Sequence, residues 1–301
     1  MTFFPNFSPQ YVRQSQAFAN NFLSNINASV AQGQDTIACP VGLLMLLSTL
    51  LGSGAPEGRT AQEISKALEL GNVRSGDEAY EGATKLYQDV FEALKHETGK
   101  SGNESIYNVP MASAMAVDDD LKINADFQNS LTQNFDTSLY QNDRFSFLVV
   151  LPDNPTDFKA IDHVLYDTKS IKKLFKQGSQ SEMIKLTLPK FHLELKVDLI
   201  PTVKKMGIKS LFNPRSADLS GITNKARLFV NLLEQASVLK VDESGVEAAT
   251  ATYASAVATS LFDPIEFKVD RPFGCMIYDE QLDLPLLVAK VVKPNAPKSG
   301  A

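Results

Sequence analysis

The chain has 301 residues, 44% hydrophobic and 21% charged, an ordinary globular composition in a chain long enough to bury a sizeable core. Its net charge of -6 argues against nucleic acid and anionic membrane as partners. Two cysteines, Cys39 and Cys275, are too few for a disulfide framework and read as buried free thiols, while His96, His163 and His192 fall at no metal-ligand spacing.

From the N-terminus, Phe18, Phe22, Ile26 and Val30 recur every four residues, one face of an amphipathic helix. Val41 to Leu51 is almost entirely apolar and predicts a buried helix. A helix from Thr60 to Leu70 stops at Gly71, and another runs from Asp77 to Lys95. Gly99 to Asn103 reads as a polar loop, Met111 to Val117 as a strand, and Asn124 to Phe135 as a helix capped by Asn124. Phe145 to Leu151 predicts a buried strand ended by Pro152, Asp153 and Asn154. Ile184 to Leu188 and Phe191 to Val197 alternate with a period of two, and Asp198 to Met206 is helical up to Gly207. Phe229 to Val241 is largely strand-like. Phe273 to Tyr278 and Leu284 to Val292 form two more strands around a turn, before Pro294. Helices first and strands later, without regular βα alternation, predict an α+β fold with antiparallel or mixed sheets.

No apolar run reaches the roughly 20 residues that span a bilayer. No signal peptide is visible in MTFFPNFSPQYVRQ. Sequons at Asn6, Asn27 and Asn103 are close to what chance supplies in so Asn-rich a chain, and lean only slightly toward secretion. Lys172, Lys173 and Lys176 read as a solvated helix face.

Glu243 to Phe262, ESGVEAATATYASAVATSLF, is the unusual segment: rich in small residues, almost uncharged, and set between strands. Its alanines alone would suit a helix, but β-branched Val and Thr interrupt it. A flexible linker is disfavoured by the apolar strands on both sides. As a strand, Val246, Ala248, Thr250, Thr252, Ala254, Ala256 and Ala258 would form one face with nothing charged or larger than Val. The other face would hold Glu247 and Tyr253, and Gly245 allows a sharp fold at the start. The segment is suited to be a loop in one state and a strand in another.

With these residues in view, the chain resembles the serpins. Asp242 to Thr252 resembles the serpin hinge: an acidic residue, then Gly, then a small-residue run. Val269-Asp-Arg-Pro-Phe273 resembles the x-D-R-P-F that closes the reactive loop, and Leu284 to Pro294 the final core strand. Leu186 to Phe212, Ala217 to Ile222 and Cys39 to Leu70 match further family stretches in the family's order. Cys39 and Gly42 stand where the family usually has serines, and Val246 where the hinge usually has Thr or Ser. Between the positions matching Tyr140 and Phe145, usual members carry a further block, which includes a helix over the main sheet and the strand bordering the loop-insertion gap. The absence of tryptophan fits the loss of that block.

The resemblance implies one serpin-like domain over 1–301, with N-terminal helices packed on large mixed or antiparallel sheets and an exposed reactive loop over about 245–272. It implies a hinge at Glu243, Gly245, Val246, Ala248, Ala249, Thr250, Ala251 and Thr252, and a reactive bond between Thr259 and Ser260. The implied function is that of a suicide-substrate inhibitor of serine proteases, not an enzyme, needing no cofactor or metal. The expected partner is a protease of elastase-like or chymotrypsin-like specificity, met by a monomeric, extracellular protein. The alternative is a non-inhibitory serpin-fold binding or carrier protein, because the strand bordering the gap is missing.

Overall fold

The computed structural model describes residues 9–27, 33–71, 76–95, 145–167, 171, 184–242, 245–247 and 265–294. The loop expected at 99–103, the strand at 111–117 and the helix at 124–135 lie outside these residues, as do Lys172, Lys173 and Lys176.

Helix α1 (Pro9–Asn27) buries Phe18, Phe22 and Ile26, as their spacing predicts. Helix α2 (Pro40–Gly52) is buried nearly all round, with Pro40 in its first turn and the Cys39 sulfur accepting from the Gly42 N–H at 3.4 Å. Helix α3 (Gly58–Ala67) ends before the expected Leu70. Glu69 turns into the left-handed region at φ 55°, where its carbonyl accepts from Gln14 Nε2 at 2.7 Å. Helix α4 (Gly76–Lys95) packs against α1, α2 and α3.

The central sheet runs in the order β1 (Thr36–Ala38), β9 (Leu284–Val291), β8 (Phe273–Asp279), β2 (Phe145–Val150), antiparallel throughout. Every residue of β8 and β9 is buried. The strand expected at 145–151 as buried is half-buried over 146–150, and among the described residues β8 pairs with it on one side only.

Helix α5 (Phe158–Leu165) is too short to declare itself by periodicity, although the Asp157 carboxylate that caps its Ala160 N–H at 3.0 Å is a legible start signal. It lies so close to β8 that a Cβ on Gly274 would fall 2.8 Å from both Ile161 Cγ2 and Leu165 Cδ1. Its polar face holds the least expected group in the core. Lys290 of β9 is only 2% exposed. Its ammonium donates to Asp162 Oδ1 at 2.7 Å. Lys290 pairs across the sheet with Thr36, whose hydroxyl shares a 2.8 Å hydrogen bond with the Tyr166 hydroxyl. Burial pushes that tyrosine up to about 12, with the Thr36 hydrogen bond opposing and the nearby Asp162 charge adding to the rise.

Two smaller sheets complete the fold. Strand β3 (Ile184–Thr187) pairs in parallel with β7 (Ile265–Lys268), and Leu186 is 51% exposed on this two-stranded ribbon, outside the core its alternation predicts. Strand β4 (Phe191–Asp198) pairs antiparallel with β5 (Glu234–Asp242), which pairs with β6 (Gly245–Glu247). The strand expected from Phe229 starts five positions later, at Glu234. Upstream of it, the Val230 N–H donates to the Leu211 carbonyl and the Leu233 carbonyl accepts from Leu199, so these backbone groups are spent on loops, and Leu232 is left 63% exposed. Helix α6 (Ile200–Lys205) and a 3-10 turn (Ser210–Phe212) follow β4.

The 3-10 turn is tied to α3 through Glu63. One carboxylate oxygen accepts from the Lys209 N–H, the Ser210 N–H and the Ser210 hydroxyl, all at 2.7 Å, and the other faces Arg59 at 2.9 Å. Burial alone would raise this carboxyl. The hydrogen bonds outweigh it and hold the group below its ordinary value.

Asp162→Ala should lower stability by about 3 kcal/mol, read from the denaturant midpoint, because it strands a buried ammonium. Asp162→Leu combined with Lys290→Met should recover most of that loss. Glu63 has a depressed folded-state pKa, so its contribution is complete above the unfolded value and is lost as pH falls through the folded one. The gap in thermal midpoint between wild type and Glu63→Gln should therefore narrow as the buffer goes from about pH 6 to about pH 3.

Candidate functional site

The site is assembled around β5. Eight residue pairs fix it to β4, from Phe191 opposite Val241 to Asp198 opposite Glu234. Such a ladder sets which residues face the core: Phe191, Leu193, Leu239 and Val241 are buried, while Glu194, Lys196 and Val238 are exposed. Phe191 also meets Phe273 of β8 edge to face, with ring centroids 5.6 Å apart, so this sheet is keyed to the central one.

A second tie joins β5 to the helices. The Gln235 side chain accepts from the Cys39 N–H at 2.7 Å and donates to the Cys39 carbonyl at 2.9 Å. This two-way clamp holds the backbone just ahead of α2. Burial pushes the Cys39 thiol up to about 11 despite the hydrogen bonds it accepts from the backbone, and burial drives Cys275 up as well. Neither cysteine is in a disulfide; Cys275 is buried as expected, whereas Cys39 is half-buried.

At its end β5 turns back on itself. Asp242 pairs with Gly245, Val241 with Val246 and Lys240 with Glu247. Of the expected hinge, Gly245 and Val246 thus lie in β6, paired to β5. Glu243, Ala248, Ala249, Thr250, Ala251 and Thr252 lie outside the described residues, and so do Thr259 and Ser260. Both ends of the span expected as loop are strand: β6 at its start and β7 near its finish. Beyond β7 the chain is anchored. Val269 is buried and its N–H donates to the Thr187 carbonyl at 2.8 Å, while Arg271 Nε donates to the Pro152 carbonyl at 2.7 Å. Lys185 and Glu266 pair at 2.9 Å on the exposed face of the ribbon.

Gly245 signals the turn into β6 in sequence. The Gln235 clamp has no such signal, since it joins residues 196 positions apart. Among the described residues no group of three or more His, Cys, Asp or Glu could hold a metal, and no helix is long and apolar enough to cross a membrane.

The family model for serpins, serine protease inhibitors, matches residues 13–143 and 139–294. The chain belongs to the serpin family. The two matched stretches of this serpin overlap at 139–143. It is 36% identical over 151 residues to a mouse protein Z-dependent protease inhibitor, covering 50% of this chain and 33% of that protein. It is 36% identical over 156 residues to a Xenopus laevis serine protease inhibitor A6, covering 52% of this chain and 34% of that one. The matched region thus spans about a third of the length of these relatives. A serpin from the trematode Schistosoma haematobium superposes with a TM-score of 0.77 at 24% identity, covering 94% of this chain and all of that one. Thyroxine-binding globulin in complex with thyroxine superposes with a TM-score of 0.67 at 17% identity, over 95% of this chain and all of that one. These likenesses establish the α+β serpin fold.

Cys39, with its pKa near 11, should react with a disulfide reagent at neutral pH about a hundredfold more slowly than an ordinary free thiol. Both thiols should titrate at full rate only after denaturation, followed by absorbance.

Proposed function

We propose that this serpin inhibits serine proteases as a suicide substrate, with residues 248–264 as the bait. The observation that carries this reading is that the bait is tethered in two different sheets, through β6 at one end and β7 at the other. The β6 end is already in register with β5. Alternate strand residues share a face, so if β6 grows from its Val241–Val246 pair, positions 248, 250 and 252 would come in on one face together. These positions are Ala248, Thr250 and Thr252, small and uncharged.

The chemistry needs nothing from this chain but a peptide bond. The protease serine attacks the Thr259 carbonyl, the bond to Ser260 breaks, the Ser260 nitrogen leaves as an amine, and Thr259 is held as an ester. Cutting frees the bait from β7, and β6 can lengthen with the protease attached. Thr259 on the acyl side suits an elastase-like enzyme; Tyr253 and Phe262 would suit a chymotrypsin-like one. The similarity to proteins named as protease inhibitors supports the class and a non-enzymatic role, which we place in a monomeric, extracellular protein.

One observation favours a second reading. The family match comes in two overlapping pieces, as expected if the block that carries the strand bordering the insertion gap is missing between them, and among the described residues β6 is the last strand of its sheet. A lengthened β6 needs a partner on its second edge, or its backbone groups stay unpaired. Without that partner the protein would be a non-inhibitory serpin that binds or carries a ligand.

Incubation with elastase-like and chymotrypsin-like proteases should yield an SDS-stable complex, and N-terminal sequencing of the released fragment should begin at Ser260. Val246→Glu, which places a carboxylate opposite Val241, should cut complex yield at least about tenfold and turn the protein into a cleaved substrate. Full protease turnover on the wild type, with no rise in thermal midpoint after cleavage, would select the second reading.

A further inference from the structure

At the end of β5 remote from β6, where Glu234 pairs with Asp198, the chain reaches the strand through an irregular stretch, residues 227–233. Two hydrogen bonds hold it down: the Val230 N–H donates to the Leu211 carbonyl at 3.0 Å, and the Leu199 N–H donates to the Leu233 carbonyl at 2.8 Å. Exposure alternates along it. Arg227, Phe229 and Asn231 are exposed while Leu228 and Val230 are half-buried, so every second side chain points outward. Leu232 breaks the alternation and is 63% exposed, beside a Phe229 that is 42% exposed. Four large hydrophobic residues are exposed among the described residues, and two of them fall in this one short run, so this is a patch rather than scatter.

The surroundings are basic. Residues 199–233 carry six Lys and Arg and a single acid, in a chain whose net charge is -6. That acid, Asp218, is spent inside its own loop, where its Oδ1 accepts from the Ser220 N–H and hydroxyl. Lys209 immediately precedes the 3-10 turn whose Leu211 carbonyl holds Val230, and it is exposed. Lys204 sets its ammonium 5.7 Å from the ring centroid of Phe212 in the same turn. Among the described residues the side chains of Lys209 and Arg227 form no ion pair. Glu63, which accepts from the Lys209 N–H, is offset by Arg59. Helix α1, packed against α6, adds Arg13 and no acid. Acids return only at Asp198 and Glu234, past the Leu199–Leu233 contact. An anionic lipid surface fits this face poorly, because the remainder of the chain is acidic and is repelled by it. A polyanion without apolar groups would leave Phe229 and Leu232 in water.

We propose that the face made by Phe229, Leu232, Lys209 and Arg227 docks an acidic segment of a partner protein, with carboxylates over the two cations and side chains of leucine or phenylalanine size over the apolar pair. It lies at the far end of β5 from the bait and is independent of protease inhibition.

The test is a fluorescence-anisotropy titration of the full chain with fluorescein-labelled Asp-Glu-Asp-Gly-Leu-Phe-Leu and with the same residues in reverse order, so that both chain directions are sampled. At least one peptide should bind saturably, with Kd about 10–100 µM in about 50 mM salt. Raising the salt to about 300 mM should weaken that binding about tenfold. Lys209→Glu combined with Arg227→Glu should weaken it at least about tenfold, and so should Phe229→Ser combined with Leu232→Ser. All four side chains are exposed, so the circular dichroism of both double variants should match the wild type. Lys159→Glu combined with Lys293→Glu makes the same change in net charge at exposed positions elsewhere, and should leave the affinity within about twofold. The proposal is overturned if neither peptide binds saturably, or if either of the first two double variants keeps wild-type affinity. It is equally overturned if polyglutamate, or vesicles of phosphatidylserine and phosphatidylcholine, bind at least as tightly as the better peptide.

Discussion

A single ammonium withdrawn from water organises the body of this serpin. Lys290 sits on β9, in the middle of a sheet whose two central strands are wholly buried, where a charge survives only beside an opposite one. Asp162 is the partner, and it comes from α5, so the helix has no freedom to slide. The same constraint explains Gly274, since α5 must approach β8 closer than any side chain there would permit. It also explains the hydroxyl pair of Thr36 and Tyr166, which ties the short edge strand β1 to the end of α5.

From that slab the order passes outward to β5 by two dissimilar ties. Phe191 against Phe273 is a packing contact between sheets, tolerant of small shifts. Gln235 against Cys39 is directional, since it satisfies both backbone groups of one residue just before a helix that is itself core. Together they give β5 a fixed position, and β6 inherits it through the ladder. The span proposed as bait is thus bounded by β6, held on β5, at one end and by the anchored β3–β7 ribbon at the other.

Most of the helices were legible because each carries a long apolar face: Phe18, Phe22 and Ile26 identify α1, and the unbroken run from Val41 identifies α2. Strands β4, β8 and β9 were legible for the parallel reason. What escaped was short or depended on distant partners. Helix α5 has two turns and only its Asp157 cap to announce it. Residues 229–233 have strand composition, yet Leu199 and Leu211 take their hydrogen bonds, which no local pattern encodes. Leu186 alternates as a core residue should and still faces water, because its ribbon has a single pairing. The small-residue run that follows Gly245 stood out in the sequence; that Gly245 to Glu247 pair with β5 did not, since pairing is a property of two strands.

The hairpin at Asp242 and Gly245 changes the arithmetic of any later lengthening of β6. Closing a turn is the step with the large entropic cost, and here the pairing across it is already made. Each further pair adds contacts by simple zippering. On the proposed reading, each residue drawn in would take up about 3.3 Å of the chain between β6 and Ile265, so an intact connection would limit the lengthening and cleavage would lift that limit.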